Sequence, residues 1–264
     1  MLRQTSLVLL LLCGGCLIAP RNPTAATVVT KLPAGTVQYD LYQSDAGRPA
    51  PLVVIAHGFL RGREHMRGWG EHLAGQGFVV AIPTLPTLAD HSRNADAIVQ
   101  LVEHLRGTTT IDPARVALMG YSSGGLSTFL AASRSDAIGL WIGLDPVDRR
   151  GLAVKAAPQV RCRVVKLMAE PADCNKDANW TAVKVADGLE LASLVVTGSV
   201  HTDCESPTDG LVVIACGPPD PQRTQTFFEY ATAALRAELM NDAAAARRLA
   251  DAGEDHRVHP PAAK

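Results

Sequence analysis

Apolar residues along this chain fall into short pure runs separated by amphipathic stretches. Leu52-Val53-Val54-Ile55-Ala56, Phe78-Val79-Val80-Ala81-Ile82 and Val116-Ala117-Leu118-Met119 contain no polar member. Such runs predict strands buried on both faces. Ile138 to Leu144, Arg163 to Met168 and Leu194 to Thr197 predict three more. Between the runs the period changes. His65 to Gln76 predicts a helix ended by Gly77. Asp90 to Arg106 predicts a second, with Ile98, Leu101, Val102 and Leu105 at helical spacing. A third runs from residue 122 to about Ser133, and an Ala-rich helix or helix pair from Pro221 to Ala250. Near the start, Thr27 to Gln43 is rich in Val, Thr and Tyr around Pro33-Ala34-Gly35, which predicts a hairpin. Arg48 to Pro51 predicts a loop. Strands alternating with helices imply an α/β fold: a mostly parallel sheet covered on both faces. No long linker and no repeat interrupts it, so residues 27–251 are expected to form one domain, with 252–264 a polar, disordered tail.

The 264 residues carry a net charge of -1, with 47% apolar and 19% charged residues. This suits a globular domain and supplies no basic stripe for nucleic acid. No Walker pattern appears, and no G-x-G-x-x-G follows the first buried strand, which argues against a nucleotide-binding α/β fold.

The N-terminus changes the picture. Met1-Leu2-Arg3 followed by Leu7 to Leu12 has the basic and apolar regions of an export signal, assigned to residues 1–26. The run is too short to cross a bilayer. Thr24-Ala25-Ala26 is a small-x-small cleavage site. Cys13-Gly14-Gly15-Cys16 resembles a lipoprotein box, with Cys13 where leucine is usual, so a lipid anchor at Cys16 is a second route. Either route leads out of the cytoplasm, to a secreted, periplasmic or membrane-anchored protein. Four cysteines then remain: Cys162, Cys174, Cys204 and Cys216. An even number in an exported chain predicts two disulfides. The pairs that close local loops, Cys162–Cys174 and Cys204–Cys216, are the favoured ones. His201 and Cys204 lack the ligand spacing of a zinc site, so no metal is expected.

The densest chemistry follows the strand 116–119. Gly120-Tyr121-Ser122-Ser123-Gly124 has the G-x-S-x-G pattern of a nucleophile elbow, in which a strand turns sharply into a helix and exposes a serine at the apex. The flanking glycines fit because the strand and helix backbones leave no room for a Cβ. Register is unambiguous, since centring on Ser123 would put Tyr121 where glycine is required. A serine hydroxyl needs a general base, an acid to orient that base, and an oxyanion hole. In this arrangement the order is Ser, then acid, then His. Of the later histidines, His256 and His259 fall in the expected tail. His201 follows the strand 194–197, where a sheet delivers its last loop to the catalytic edge. Asp145, Glu170 and Asp173 each follow a strand whose end could reach it. The Ser123 N–H and the Phe59 N–H, in His57-Gly58-Phe59-Leu60 after the first buried strand, are the candidate oxyanion donors. His57 precedes the serine and is read as structural.

These segments together resemble the α/β-hydrolase superfamily, and more narrowly its chlorophyllase, platelet-activating-factor acetylhydrolase and dienelactone-hydrolase-like branch. His57-Gly58-Phe59-Leu60 with Gly77-Phe78-Val79-Val80-Ala81-Ile82-Pro83 is similar to the chlorophyllase loop and strand. Gly120 to Gly125 matches the elbow, with Tyr121 where chlorophyllases usually have histidine. Gly143-Leu144-Asp145-Pro146-Val147-Asp148 is similar to the segment bearing that branch's catalytic aspartate, which puts Asp145 ahead of Glu170 and Asp173. The resemblance implies an α/β-hydrolase fold and cleavage of carboxylic esters through an acyl-enzyme, with no cofactor. The expected partner is a small-molecule ester, met by a monomer. Phe59, Leu60, Trp69, Leu85, Tyr121 and Trp180 are candidate pocket residues, with 83–88 as one wall. The lack of a large insertion points to an open cleft and short acyl chains. The same triad could serve an acyltransferase, lactonase or peptidase, and the fold also hosts non-catalytic binding proteins.

Overall fold

The computed structural model describes residues 24–43 and 49–262. Most of the segment 1–26 expected to be an export signal, residues 1–23 with Cys13 and Cys16, lies outside them. Thr24 to Ala26, the proposed cleavage site, forms the start of the first strand.

Among the described residues the sheet has nine strands: β1 (Thr24–Leu32), β2 (Gly35–Gln43), β3 (Ala50–Ala56), β4 (Val79–Pro83), β5 (Ile111–Tyr121), β6 (Leu140–Leu144), β7 (Arg163–Met168), β8 (Glu190–Val196) and β9 (Val258–His259). Their spatial order is β1-β2-β4-β3-β5-β6-β7-β8-β9. From β4 to β8 neighbouring strands run parallel, while β1, β2 and β9 add antiparallel edges. The helices are α1 (Arg67–Gly75), α2 (His91–Arg106), α3 (Ser123–Ala132), α4 (Leu152–Ala156), α5 (Gly210–Cys216), α6 (Pro221–Met240) and α7 (Ala243–Ala250). The α2 helix begins at an Asp90 cap that accepts from the Arg93 N–H, a good fit to the N-cap rule.

Alternation along the strands builds two cores. Leu52, Val54 and Ala56 of β3 face one side with Ile98, Leu101 and Phe129 of α2 and α3. Val53 and Ile55 face the other with Trp69, Leu73 and Phe227 of α1 and α6. Period-two alternation within a continuous apolar run is the mark of a strand sandwiched between helix layers. The Trp141 and Trp180 rings stack at 5.3 Å, each edge-on to Phe129. Trp180 and Trp69, expected near the substrate, are therefore core residues.

The tail differs from expectation. A 3-10 turn at Asp251–Glu254 leads to β9, which pairs with β8 through Val195–His259 and Val196–Val258. Polar composition misled here, because the charges are used internally. Asp255 binds Arg248, Arg257 and the Tyr230 hydroxyl, and Val258 is buried. The 50–51 segment expected as loop is the start of β3.

Candidate active site

Parallel strands deliver their loops to one edge, the carboxyl ends, and in open α/β sheets ligands bind there. Ser122, Asp145 and His201 follow β5, β6 and β8 at that edge.

Ser122 has φ 53 and ψ -122, a conformation disfavoured for a residue with a Cβ, costing on the order of 1–3 kcal/mol. Surrounding contacts enforce it. The Ser122 N–H donates to the Leu144 carbonyl at 3.0 Å, and its own carbonyl accepts from Gly125 and Val147. The glycines of the motif are sterically required. A Cβ on Gly120 would stand 2.5 Å from the Gly124 carbonyl oxygen, and one on Gly124 would strike the carbonyls of Ala56 and His57. Helix α3 thus crosses directly over the end of β3 and sets the His57–Leu60 loop beside the serine. Gly58 completes the fit, because a Cβ there would sit 3.0 Å from the Tyr121 ring.

His201 Nδ1 lies 2.5 Å from Asp145 Oδ2, with both side chains buried. Asp145 also accepts from the Ala169 N–H at 3.0 Å and from Asn175 Nδ2 at 3.2 and 3.1 Å. The Tyr121 ring covers the imidazole with centroids 4.7 Å apart, and burial pushes its phenol well above its ordinary pKa. The other acids are elsewhere. Glu170 accepts from the Gly198 N–H and pairs with His259, and Asp173 is exposed on the 3-10 turn Asp173–Asn175. His256 gives its carbonyl to Thr197.

Ser122, Ser123, Phe59 and His201 line one cavity of about 220 Å³, smaller than the roughly 300–1,000 Å³ of drug-sized ligand sites. Tyr121, Val147 and Val212 supply apolar walls, while Arg149 and Lys176 stand at the side. Ser123 opens α3, so its N–H has no intrahelical partner and points to the anion-favouring end of the helix. Of the other expected pocket residues, Leu60 is exposed and does not line the cavity. The Leu85 N–H donates to His57 Nε2 at 3.2 Å, and His57 Nδ1 faces the Gly58 carbonyl at 3.0 Å. His57 therefore carries its ring proton on Nδ1 and braces the loop. Burial holds its pKa below the ordinary value.

The loop that bears His201 is pinned by charge and hydrogen bonds. Glu205 takes two bonds from Arg61, at 2.6 and 3.0 Å. Asp203 accepts from Val200, Asp220 and Arg223, and the Trp69 indole donates to the Cys204 carbonyl.

The disulfide pattern corrects the sequence reading. Cys174 is bonded to Cys216, with Cα atoms 5.7 Å apart, while Cys162 and Cys204 are free and buried. Cys162 precedes β7 and Cys174 lies beyond its far end. Six extended residues span about 20 Å, well outside bridging range. Cys204 is completely buried in the α1 and α6 core, while Cys216 is half-buried at the end of α5. Burial pushes the Cys162 thiol up to about 12 and the Cys204 thiol well above its usual range. Cys174 and Cys216 both border the cavity, so the bridge ties the turn after β7 to α5 at its wall. Asn175, beside Cys174, was not singled out in the sequence, where nothing marks it among other loop asparagines.

A nine-stranded, mostly parallel sheet with helices on both faces and a serine elbow after its fifth strand is the α/β-hydrolase fold. The solved dienelactone hydrolase from Anabaena variabilis ATCC 29413 superposes with a TM-score of 0.67 at 16% identity, over 83% of this chain and 100% of that one. The family model described as "PETase: PET hydrolase-like" matches residues 19–185, and the chain belongs to that family. The match includes Ser122 and Asp145 and ends before His201. A comparison with the curated proteins returns no match. Among the described residues no helix is long and apolar enough to cross a membrane.

Proposed function

We propose that this hydrolase is an exported serine esterase that cleaves small carboxylic esters through an acyl-enzyme. Ser122 Oγ attacks the ester carbonyl. His201 Nε2 takes the hydroxyl proton and returns it to the leaving alcohol. Asp145 holds the imidazole with its proton on Nδ1 and stabilises the imidazolium that forms. The Ser123 and Phe59 N–H groups receive the developing oxyanion. Water then repeats the sequence in reverse and frees the acid. What carries the reading is one conjunction: a serine at a positive-φ elbow bordering the same cavity as a histidine 2.5 Å from a buried carboxylate. Export is supported by the disulfide, which persists in oxidising compartments. The mass of the mature N-terminus distinguishes simple cleavage from lipidation at Cys16.

The test is hydrolysis of p-nitrophenyl esters from acetate to palmitate by the mature protein. Ser122→Ala and Asp145→Asn are expected to lose activity, and Asp173→Asn to keep it. Inactivity of folded, disulfide-bonded protein on every ester, together with no labelling by a fluorophosphonate, would overturn the proposal.

A further inference from the structure

We infer that Asn175 is a positioning residue for the Asp145–His201 pair, an inference that rests on the serine-esterase reading above. Asn175 is completely buried. Its Nδ2 donates to Asp145 Oδ1 at 3.2 Å, to Asp145 Oδ2 at 3.1 Å and to the Glu170 carbonyl at 2.8 Å. Its Oδ1 accepts from the Ala172 and Ala178 N–H groups, both at 2.9 Å. The amide can be seated only one way, since Oδ1 meets donors alone and Nδ2 acceptors alone. One amide hydrogen is shared between the two carboxylate oxygens and the other is spent on Glu170.

This geometry controls how Asp145 faces the histidine. The carboxylate is attached to a residue at φ 41 and could rotate about its terminal torsion. The Ala169 N–H fixes one oxygen. Asn175 bridges both, which sets the plane in which Oδ2 meets His201 Nδ1. Asn175 is itself held from two sides. Lys176, Asp177 and Ala178 follow in left-handed conformation, with φ of 53, 55 and 51, and the Asn175 Oδ1 closes that turn on Ala178. Cys174, one residue before, is bonded to Cys216.

Asn175→Asp separates the roles of the two ends of the side chain. An aspartate still accepts from Ala172 and Ala178, so the turn is kept, but it loses both donors and sets a second carboxylate against Asp145. The expected result is a fall in kcat of about 10- to 100-fold, the range for one hydrogen bond lost from a buried carboxylate, with KM within about twofold. The acid limb of kcat/KM moves to higher pH, because the added negative charge favours the imidazolium. Asp203 held by Arg223, Glu205 held by Arg61, and Asp173 and Lys176 beside Asn175 are the same in both proteins. Rates are expressed per site titrated with fluorophosphonate. A lower melting temperature with unchanged kcat per titrated site and an unmoved acid limb would overturn the inference. Asn175→Ser, which adds no charge, is the second variant if the aspartate fails to fold. It is expected to lower kcat by the same range without moving the limb upward. If the wild type cleaves no ester, the parent reading fails. The inference is then read from the downfield proton resonance of His201 Nδ1, assigned by its loss in Asp145→Asn: a shift in Asn175→Ser supports it, and an unmoved resonance overturns it.

Discussion

Removing the Cys174–Cys216 bridge gives the most quantitative prediction. The bond joins residues 42 apart in sequence. Closing a loop of that length in the unfolded chain removes on the order of 13 cal/mol/K of entropy, or about 4 kcal/mol at 25 °C. The paired variant Cys174→Ser/Cys216→Ser is the right perturbation, since it leaves no unpaired thiol beside the cavity. Little packing is lost with it, because both positions are only half-buried. Equilibrium urea unfolding followed by far-ultraviolet circular dichroism should show the loss as a lower midpoint. In thermal unfolding, 4 kcal/mol corresponds to a fall of about 8–16 °C for a domain this size. Activity should drop more than stability demands, because the bridge holds the turn that carries Asn175 and the helix that forms one cavity wall. The control is Cys162→Ala, which changes a buried, unbonded thiol and removes no cross-link. A paired variant within about 1 kcal/mol of wild type would refute the chain-entropy argument. Non-reduced peptide mapping that finds Cys162–Cys174 or Cys204–Cys216 would refute the pairing itself.

Three further outcomes follow from the same geometry. Gly124→Ala drives a methyl into the Ala56 and His57 carbonyls; the cost is about 1–3 kcal/mol, with loss of the proposed esterase activity as the Phe59 loop is displaced, and an alanine variant of wild-type stability and rate would sink the elbow argument. Burial holds His57, His72 and His91 below the ordinary histidine value of 6.5, so the folded protein stays neutral there while the unfolded chain takes up protons; stability present above pH 6.5 is lost as the pH falls below it. His259, raised by the Pro260 carbonyl and Glu170, works in the opposite sense. Urea midpoints should decline from pH 7 to pH 5, less steeply in His57→Asn, and a flat profile contradicts the assignment. A cavity of about 220 Å³ should favour acetate and butyrate esters over palmitate, and equal kcat/KM across the series would show that the acyl chain lies outside it.

The elements that were legible in the sequence are those whose signal is local. Val53 and Val54 point to opposite cores because a strand alternates, so the pure apolar run was enough to identify β3 as buried on both faces. The elbow was legible because its sterics act over five residues: Gly120 and Gly124 are glycines for reasons contained within the motif and the strand beside it. The order of serine, acid and histidine came with that motif, and His201 was marked by its place after the strand 194–197. What acts through space was not legible. Sequence proximity favoured Cys162 with Cys174, yet a whole strand separates them, and the partner lies 42 residues on because the turn after β7 folds against α5. Asp145, Glu170 and Asp173 follow adjacent strands, and only the three-dimensional placement of the loops decides which carboxylate faces the imidazole. Asn175 carries no pattern at all, because its role is defined by five hydrogen bonds to groups that the fold assembles. The polar tail read as disordered because composition does not say whether charges pair; Asp255 finds Arg248, Arg257 and Tyr230 only once β9 is laid against β8. Local periodicity and steric demand are written into consecutive residues, whereas pairing, burial of charge and the support of the acid depend on which distant segments the packed sheet and its helices bring together.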